Sequence, residues 1–112
     1  MKVSITSIKL NSIWKLPSLA MYVMKIKRQS KKAGALEVAS KGGFGTIHYT
    51  MSLWPNEESI ESFSKSDAHL EALKKSRQLA EEIQVLTMDG KALPALEEAK
   101  VLLEKEGRTI RY

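Results

Sequence analysis

Two histidines, His48 and His69, are the residues of this chain best suited to acid–base or ligand chemistry. A metal site normally needs three or four ligands at recognisable spacing, which two histidines with Asp67 nearby do not provide. His69 is predicted near the start of a helix, where the helix dipole disfavours a protonated imidazole. A neutral imidazole suits a general base or a ligand. The alternative is that His69 packs over the sheet with one nitrogen bonded to the backbone.

Several kinds of chemistry are excluded or disfavoured by the residues that are missing. The chain has no cysteine, which rules out disulfides, thiolate zinc sites, iron–sulfur clusters and a cysteine nucleophile. The glycines of residues 42–45 (GGFG) precede a strand, whereas a phosphate-binding loop opens a helix. No nucleophile elbow is present. The sequence therefore offers no cysteine, P-loop or serine-hydrolase mechanism.

The clearest strand, residues 45–54 (GTIHYTMSLW), has one unusually polar side. Alternation places His48, Thr50, Ser52 and Trp54 on that side and Ile47, Tyr49, Met51 and Leu53 on the other. A strand covered on both faces should read as a continuous apolar run. The polar side therefore indicates either a hydrated cavity or a hydrogen-bonded seam between two copies. Both tryptophans, Trp14 and Trp54, are predicted to be core residues.

The elements that must position these residues follow from periodicity and from the Pro and Gly residues between them. The first half is predicted to hold a strand at 2–10, a helix from Pro17 to Gly34, and two strands at 35–40 and 45–54. A short helix follows, capped by Asn56 with Phe63 inward, and then a helix from Ser66 or Asp67 to about Ile83. The chain is predicted to end with a strand at 84–88, a helix from Pro94 to Gly107, and an edge strand or free tail at 108–112. This order predicts one α+β domain over residues 1–112, with ferredoxin-like βαββαβ topology and an added C-terminal helix.

Such a sheet is expected to carry helices on one face only. We therefore expect its uncovered face to pack against the same face of a second copy and form a homodimer.

The net charge of +5 is uneven, with +8 in residues 1–41 and −3 in residues 42–112. A solvated basic helix is the favoured reading, and nucleic-acid binding by the first helix is a minor alternative. No signal-peptide core or spanning segment is predicted, and a cytoplasmic location is expected.

Residues 48–76 (HYTMSLWPNEESIESFSKSDAHLEALKKS) resemble the corresponding stretch of the dimeric α+β barrel proteins. The nearest branch is that of the antibiotic-biosynthesis-monooxygenase-like and spheroidene-monooxygenase-like families. The shared features are a strand that ends in Trp54, a short acidic helix with an inward Phe63, and a small-residue turn before a helix bearing His69. The resemblance implies a dimeric α+β barrel.

The resemblance also implies a function and a set of site residues. It implies a monooxygenase-like protein that holds an apolar or aromatic small molecule between sheet and helices. His69 would be the catalytic base or an axial haem ligand, with a pocket lined by Tyr22, His48, Tyr49, Trp54 and Phe63. Haem-degrading members also use an asparagine on the first strand, and residues 3–10 contain none. A non-catalytic dimeric ligand-binding or sensing module is the alternative.

Overall fold

The computed structural model describes residues 1–42 and 46–111, apart from the side chains of residues 67–69, 72 and 73. The elements are β1 (Lys2–Leu10), a 3₁₀ turn (Ile13–Lys15), α1 (Leu16–Lys32), β2 (Glu37–Gly42), β3 (Ile47–Trp54), α2 (Glu57–Ser64), α3 (Asp67–Leu79), β4 (Ala80–Asp89), α4 (Leu96–Glu106) and β5 (Arg108–Arg111). Five antiparallel strands lie in the order β2-β3-β1-β4-β5. The predicted ferredoxin-like α+β fold is confirmed.

One face of the sheet is covered by α1, α2 and α3. Ile8 and Leu10 at the end of β1 pack with Leu19 and Val23 of α1 and with Leu79 of α3 in one apolar cluster. These α1 residues recur at helical spacing, so they form one stripe that the sheet can bury. We call this face of the sheet the helix side. It is the side on which β1 and β3 place their even-numbered residues, because antiparallel partners such as Ile8 and His48 share a face.

The other face is covered over part of its area by α4, which corrects the expectation of helices on one face only. Ala99 and Leu103 of α4 are buried against Val3 and Ile5 of β1 and Met51 of β3. We call this face the α4 side. The second core forms because the chain turns back after β4, so that the apolar stripe of α4 packs against the odd-numbered residues of β1 and β3. The covering of the sheet therefore no longer requires a second copy.

Two predicted boundaries are wrong by a few residues. Helix α3 ends at Leu79, although its pattern predicts helix to about Ile83, and β2 spans 37–42 where 35–40 was expected. Residues 80–83 instead extend β4, where Ala80 pairs with Leu10 and a register shift follows. Pairing with the central strand outweighs the helical propensity of this segment. The predicted turn at Gly43 lies outside the described residues.

Local capping explains the remaining element ends. The side-chain oxygen of Asn56 accepts a hydrogen bond from the backbone N–H of Ser59 at 2.9 Å, as predicted for an N-cap. Gly34 follows α1 with a φ of 112°, a conformation that suits glycine. At Gly107, an added Cβ would lie 2.5 Å from the carbonyl oxygen of Leu103, so a larger residue would disturb the passage from α4 to β5. Residues 108–111 pair with β4 as an edge strand.

The two tryptophans have opposite environments. Trp54 is buried, with 2% of its surface exposed, as predicted. Trp14 in the 3₁₀ turn is 89% exposed, so the expectation of a core residue is wrong there. The segment between β1 and α1 contacts the end of α3 through polar groups, including the hydrogen bond from the Lys15 amine to the carbonyl of Gln78. The Trp14 indole is therefore left exposed to solvent.

Among the described residues, no helix is long and apolar enough to cross a membrane.

Candidate functional site between the sheet and the helices

The helix side of the three strands β1, β2 and β3 carries polar side chains where an apolar core would be expected. Strand register places Thr50 opposite both Thr6 and Ser40, and Ser52 opposite Ser4. These residues and His48 are all half-buried. We call this set the polar floor, and its members are Ser4, Thr6, Ser40, His48, Thr50 and Ser52. Because hydroxyl groups cost free energy when they are buried without partners, this arrangement suits a space that admits water or a polar ligand.

An aromatic pair closes one end of the polar floor. Trp54, the last residue of β3, packs against Phe63 of α2 with ring centroids 5.3 Å apart and an interplanar angle of 32°. The indole N–H of Trp54 donates a hydrogen bond to the hydroxyl of Ser52 at 2.8 Å. This bond fixes the indole plane and leaves the Ser52 hydroxyl proton free to rotate towards a further acceptor. The pair thus forms a rigid apolar wall beside hydrogen-bonding groups.

His48 lies at the other end of the polar floor, and its ring is only partly satisfied. The Nε2 atom is buried and has no hydrogen-bond partner among the described residues. Burial lowers the pKa of His48 below its ordinary value of 6.5, because desolvation disfavours the imidazolium ion. The ring is therefore more readily neutral near pH 7. A neutral imidazole with an unpartnered nitrogen can accept a proton or a hydrogen bond from a bound molecule.

Two clefts open between the helices on this side, and both are lined by Gln29 of α1. A cleft of about 440 Å³ runs between α1 and α3, and one of about 390 Å³ lies between the end of α1 and α2. The Oε1 atom of Gln29 is buried without a hydrogen-bond partner among the described residues. The described residues that line these clefts all come from helices or their ends. The clefts therefore lie on the helix side without reaching a described residue of the polar floor.

The predicted site residues do not all lie together. His48 and Trp54 lie on the helix side, Tyr22 lines the cleft between α1 and α3, and Phe63 lines the smaller cleft. Tyr49 lies on the α4 side, where the Lys100 ammonium is 5.7 Å from its ring centroid. It therefore cannot share a cavity with His48. The side chain of His69 lies outside the described residues, and only its place in the first turn of α3 is known.

Four contributors are absent from the sequence prediction: Ser4, Thr6, Ser40 and Gln29. The two β1 residues could have been found by alternation, since they share a face with Ile8 in the printed sequence. Their meeting with Thr50 and Ser52 could not, because strand order and register are needed to bring three strands together. No signal in the sequence marks Gln29. Within the described residues, no cluster of three His, Asp or Glu side chains could hold a metal ion.

Solved structures provide the comparison with known proteins. A Deinococcus radiodurans protein described provisionally as an antibiotic biosynthesis monooxygenase has 12% identity, covering 86% of this chain and 99% of its own, with a TM-score of 0.73. A Caulobacter crescentus protein with the same provisional description has 10% identity, with 81% and 90% covered and a TM-score of 0.72. A Mycobacterium tuberculosis protein has 8% identity, with 85% and 100% covered and a TM-score of 0.71.

No protein-family profile and no curated protein sequence matches the chain. At such low identities, the structural matches define the fold alone. The chain has the α+β fold of the antibiotic-biosynthesis-monooxygenase-like proteins. The resemblance drawn from residues 48–76 is thereby confirmed at the level of the fold.

Proposed function

We propose that the protein binds an apolar or aromatic small molecule with polar substituents between the polar floor and the helices, and that it oxidises this molecule as a monooxygenase-like enzyme. The observation that carries the proposal is the polar floor itself. Its hydroxyl groups and the His48 Nε2, which has no hydrogen-bond partner among the described residues, can bond to ligand oxygens, while Trp54 and Phe63 offer an apolar wall. Mostly apolar pockets with a few polar groups are typical of small-molecule sites.

A phenolic substrate would allow oxidation without an external reductant. An imidazole accepts the phenolic proton, and the electron-rich phenolate reacts with O₂ to form a carbon–oxygen bond on the ring. Loss of water from the resulting hydroperoxide leaves a quinone, so one oxygen atom stays in the product and the other leaves as water. The substrate supplies all the electrons. His69 is the proposed base from the family resemblance, and His48 is the imidazole whose lowered pKa suits the same role.

Binding and turnover of α-naphthol test the proposal. We expect calorimetric binding that weakens by about tenfold in Thr50→Val, because one hydroxyl is replaced by a methyl group of the same shape. Thr109→Val, the same change on an exposed residue of β5 on the α4 side, is the matched control. Oxygen uptake with formation of para-naphthoquinone would support catalysis. Equal affinities in both variants would contradict the site.

Haem is the cofactor that the resemblance implies, and the described residues do not fit it. Neither cleft is lined by a described histidine, and residues 3–10 lack the asparagine of the haem-degrading members. The haem ligand that the resemblance implies is His69. Haem titration of wild type and His69→Ala, followed by absorbance, would show a Soret shift lost in the variant if His69 binds iron.

The alternative function is a non-catalytic ligand-binding or sensing module with the same site. Binding of α-naphthol without oxygen uptake would favour it. A homodimer is also part of the proposal, since Ile47 and Tyr49 at one end of the α4 side are only half-buried, and a second copy can pack on their exposed part. Sedimentation velocity tests this, and a monomer at micromolar concentration would contradict it.

A further inference from the structure

The outward side of α1 carries a continuous exposed stripe that changes from apolar to basic along the helix. Pro17, Met21, Met24, Arg28 and Lys32 follow at spacings of four, three, four and four residues, which places them on one side of the helix. All five are exposed, and Leu19 and Val23 on the opposite side are buried in the core. The stripe thus has no covering element in the part of the chain that the structure describes.

The apolar half of the stripe continues into the turn that precedes α1. Trp14 is 89% exposed and Ile13 is 57% exposed, while Met21 and Met24 are 74% and 64% exposed. Single exposed apolar residues are common, but a run of this length ending in a fully exposed tryptophan marks an interaction surface. Tryptophan is enriched where a protein meets the interface between water and lipid. We call Ile13, Trp14, Pro17, Met21 and Met24 the apolar strip.

The charged residues in and beside the apolar strip are mostly basic. Residues 1–36 contain eight Lys or Arg and no Asp or Glu. Lys25 lies 3.8 Å from Glu71, whereas no described acidic side chain forms a salt bridge with Arg28, Lys31 or Lys32. Cations that are not paired within the protein remain available to an anionic partner. We call Arg28, Lys31 and Lys32 the basic cluster.

We propose that the apolar strip and the basic cluster together form a docking surface for an anionic lipid bilayer. A helix with exposed apolar residues, a tryptophan and adjacent Lys/Arg lies in the plane of the interface, with the apolar part inserted and the cations near the phosphates. A second copy fits poorly, because parallel two-fold pairing of this face would oppose two basic clusters and antiparallel pairing would offer these cations no acidic residue of α1. Nucleic acid would engage the cations and leave the methionines without a role.

The docking surface borders one of the two clefts on the helix side. Met21 belongs to the apolar strip and also lines the cleft between α1 and α3, together with Tyr22 and Lys25. A molecule dissolved in the bilayer would therefore reach this cleft without crossing water. This consequence rests on the proposed function, whereas the docking itself does not. Vesicle binding without ligand binding would separate the two.

Vesicle flotation tests the docking. Wild type should bind phosphatidylcholine vesicles that contain phosphatidylglycerol and should not bind pure phosphatidylcholine vesicles, with binding weakened by salt. Partitioning should fall about tenfold in Met21→Gln/Met24→Gln and about a hundredfold in Arg28→Ala/Lys31→Ala/Lys32→Ala. The matched controls are Val101→Gln, an exposed apolar residue of α4, and Lys91→Ala/Lys105→Ala/Arg108→Ala, which removes the same charge elsewhere. Both controls should bind as wild type does.

Tryptophan fluorescence gives an independent readout. Because Trp54 is already buried, a blue shift on vesicle binding should come from Trp14 and disappear in Trp14→Phe. Absence of binding to phosphatidylglycerol vesicles at low salt would overturn the proposal. Equal loss in the control variants, binding to heparin alone, or a change of oligomeric state in Trp14→Ala without vesicle binding would also overturn it.

Discussion

Thr6 of β1 lies directly opposite Thr50 of β3, and both side chains face the helices instead of solvent. Valine has nearly the same volume as threonine and would make apolar contacts at these positions of the sheet. Two threonines lack part of that apolar contact. The pair is flanked by Ser4 and Ser52 on one side and by His48 on the other, so the polar character extends along the strands. This relationship defines the candidate site.

Replacing the threonine pair should separate stability from binding. We expect Thr6→Val/Thr50→Val to leave the thermal midpoint unchanged or to raise it, because partly buried hydroxyls give way to methyl groups. Binding of α-naphthol should weaken by about tenfold or more. Thermal unfolding and calorimetry measure the two effects on the same samples. A variant that loses stability and keeps its affinity would show that the hydroxyls serve packing alone.

The contact between Phe63 and Trp54 should contribute to the free energy of unfolding, and the loss should grow with the amount of the Phe63 side chain removed. Phe63→Ala removes the ring that packs on Trp54 and should lower the free energy of unfolding by about 2 kcal/mol, since Phe63 is only half-buried. Phe63→Leu should cost about half as much because it keeps the apolar contact. Urea unfolding measures both. Equal costs for the two variants would indicate that the ring contact with Trp54 adds nothing specific.

His48 should make stability depend on pH. Its pKa in the folded chain lies below the unfolded value of 6.5, so the unfolded state binds more protons between these two values. Stability should therefore rise with pH through this window and level off above pH 6.5. In His48→Gln this component should vanish, whereas Thr109→Val should retain it. Urea midpoints measured across the window provide the test, and identical slopes in His48→Gln and wild type would contradict the assignment.

Gly107 should be required at the junction of α4 and β5. An added Cβ would lie 2.5 Å from the Leu103 carbonyl oxygen, so Gly107→Ala should cost about 1–3 kcal/mol through backbone displacement. Gly42→Ala is the control, because no atom of the described residues lies within 4 Å of the corresponding Cβ. Urea unfolding compares the two variants. A Gly107→Ala protein as stable as wild type would show that the last strand adjusts freely.

The sequence supports much of this fold, for identifiable reasons. Alternation in β1 and β3, the Asn56 cap and the glycine after α1 are local signals that the structure bears out. Elements that depend on long-range pairing were harder to predict from the sequence. Residues 80–83 have a helical pattern but form part of a strand, because β1 pairs with them. Trp14 is exposed because its turn meets α3 through polar contacts. Tertiary context decides such cases.

The candidate site was predictable only along single strands. The polar side of β3 is visible in the sequence, and so is the alternation of Ser4 and Thr6 in β1. Whether these sides face helices or a second copy depends on how the strands are ordered and which face α1 covers. The structure places them on the helix side. By the same geometry, Tyr49 is separated from His48 although the two are adjacent in sequence.

That separation allows the most direct test of the central claim. In NMR spectra, addition of α-naphthol should shift the ring signals of His48 and the methyl signal of Thr50. The ring signals of Tyr49, on the α4 side, should stay in place. Shifts confined to the helix side are the predicted result. Shifts of Tyr49 and of α4 residues such as Leu102, with His48 and Thr50 unmoved, would contradict a ligand site between the polar floor and the helices.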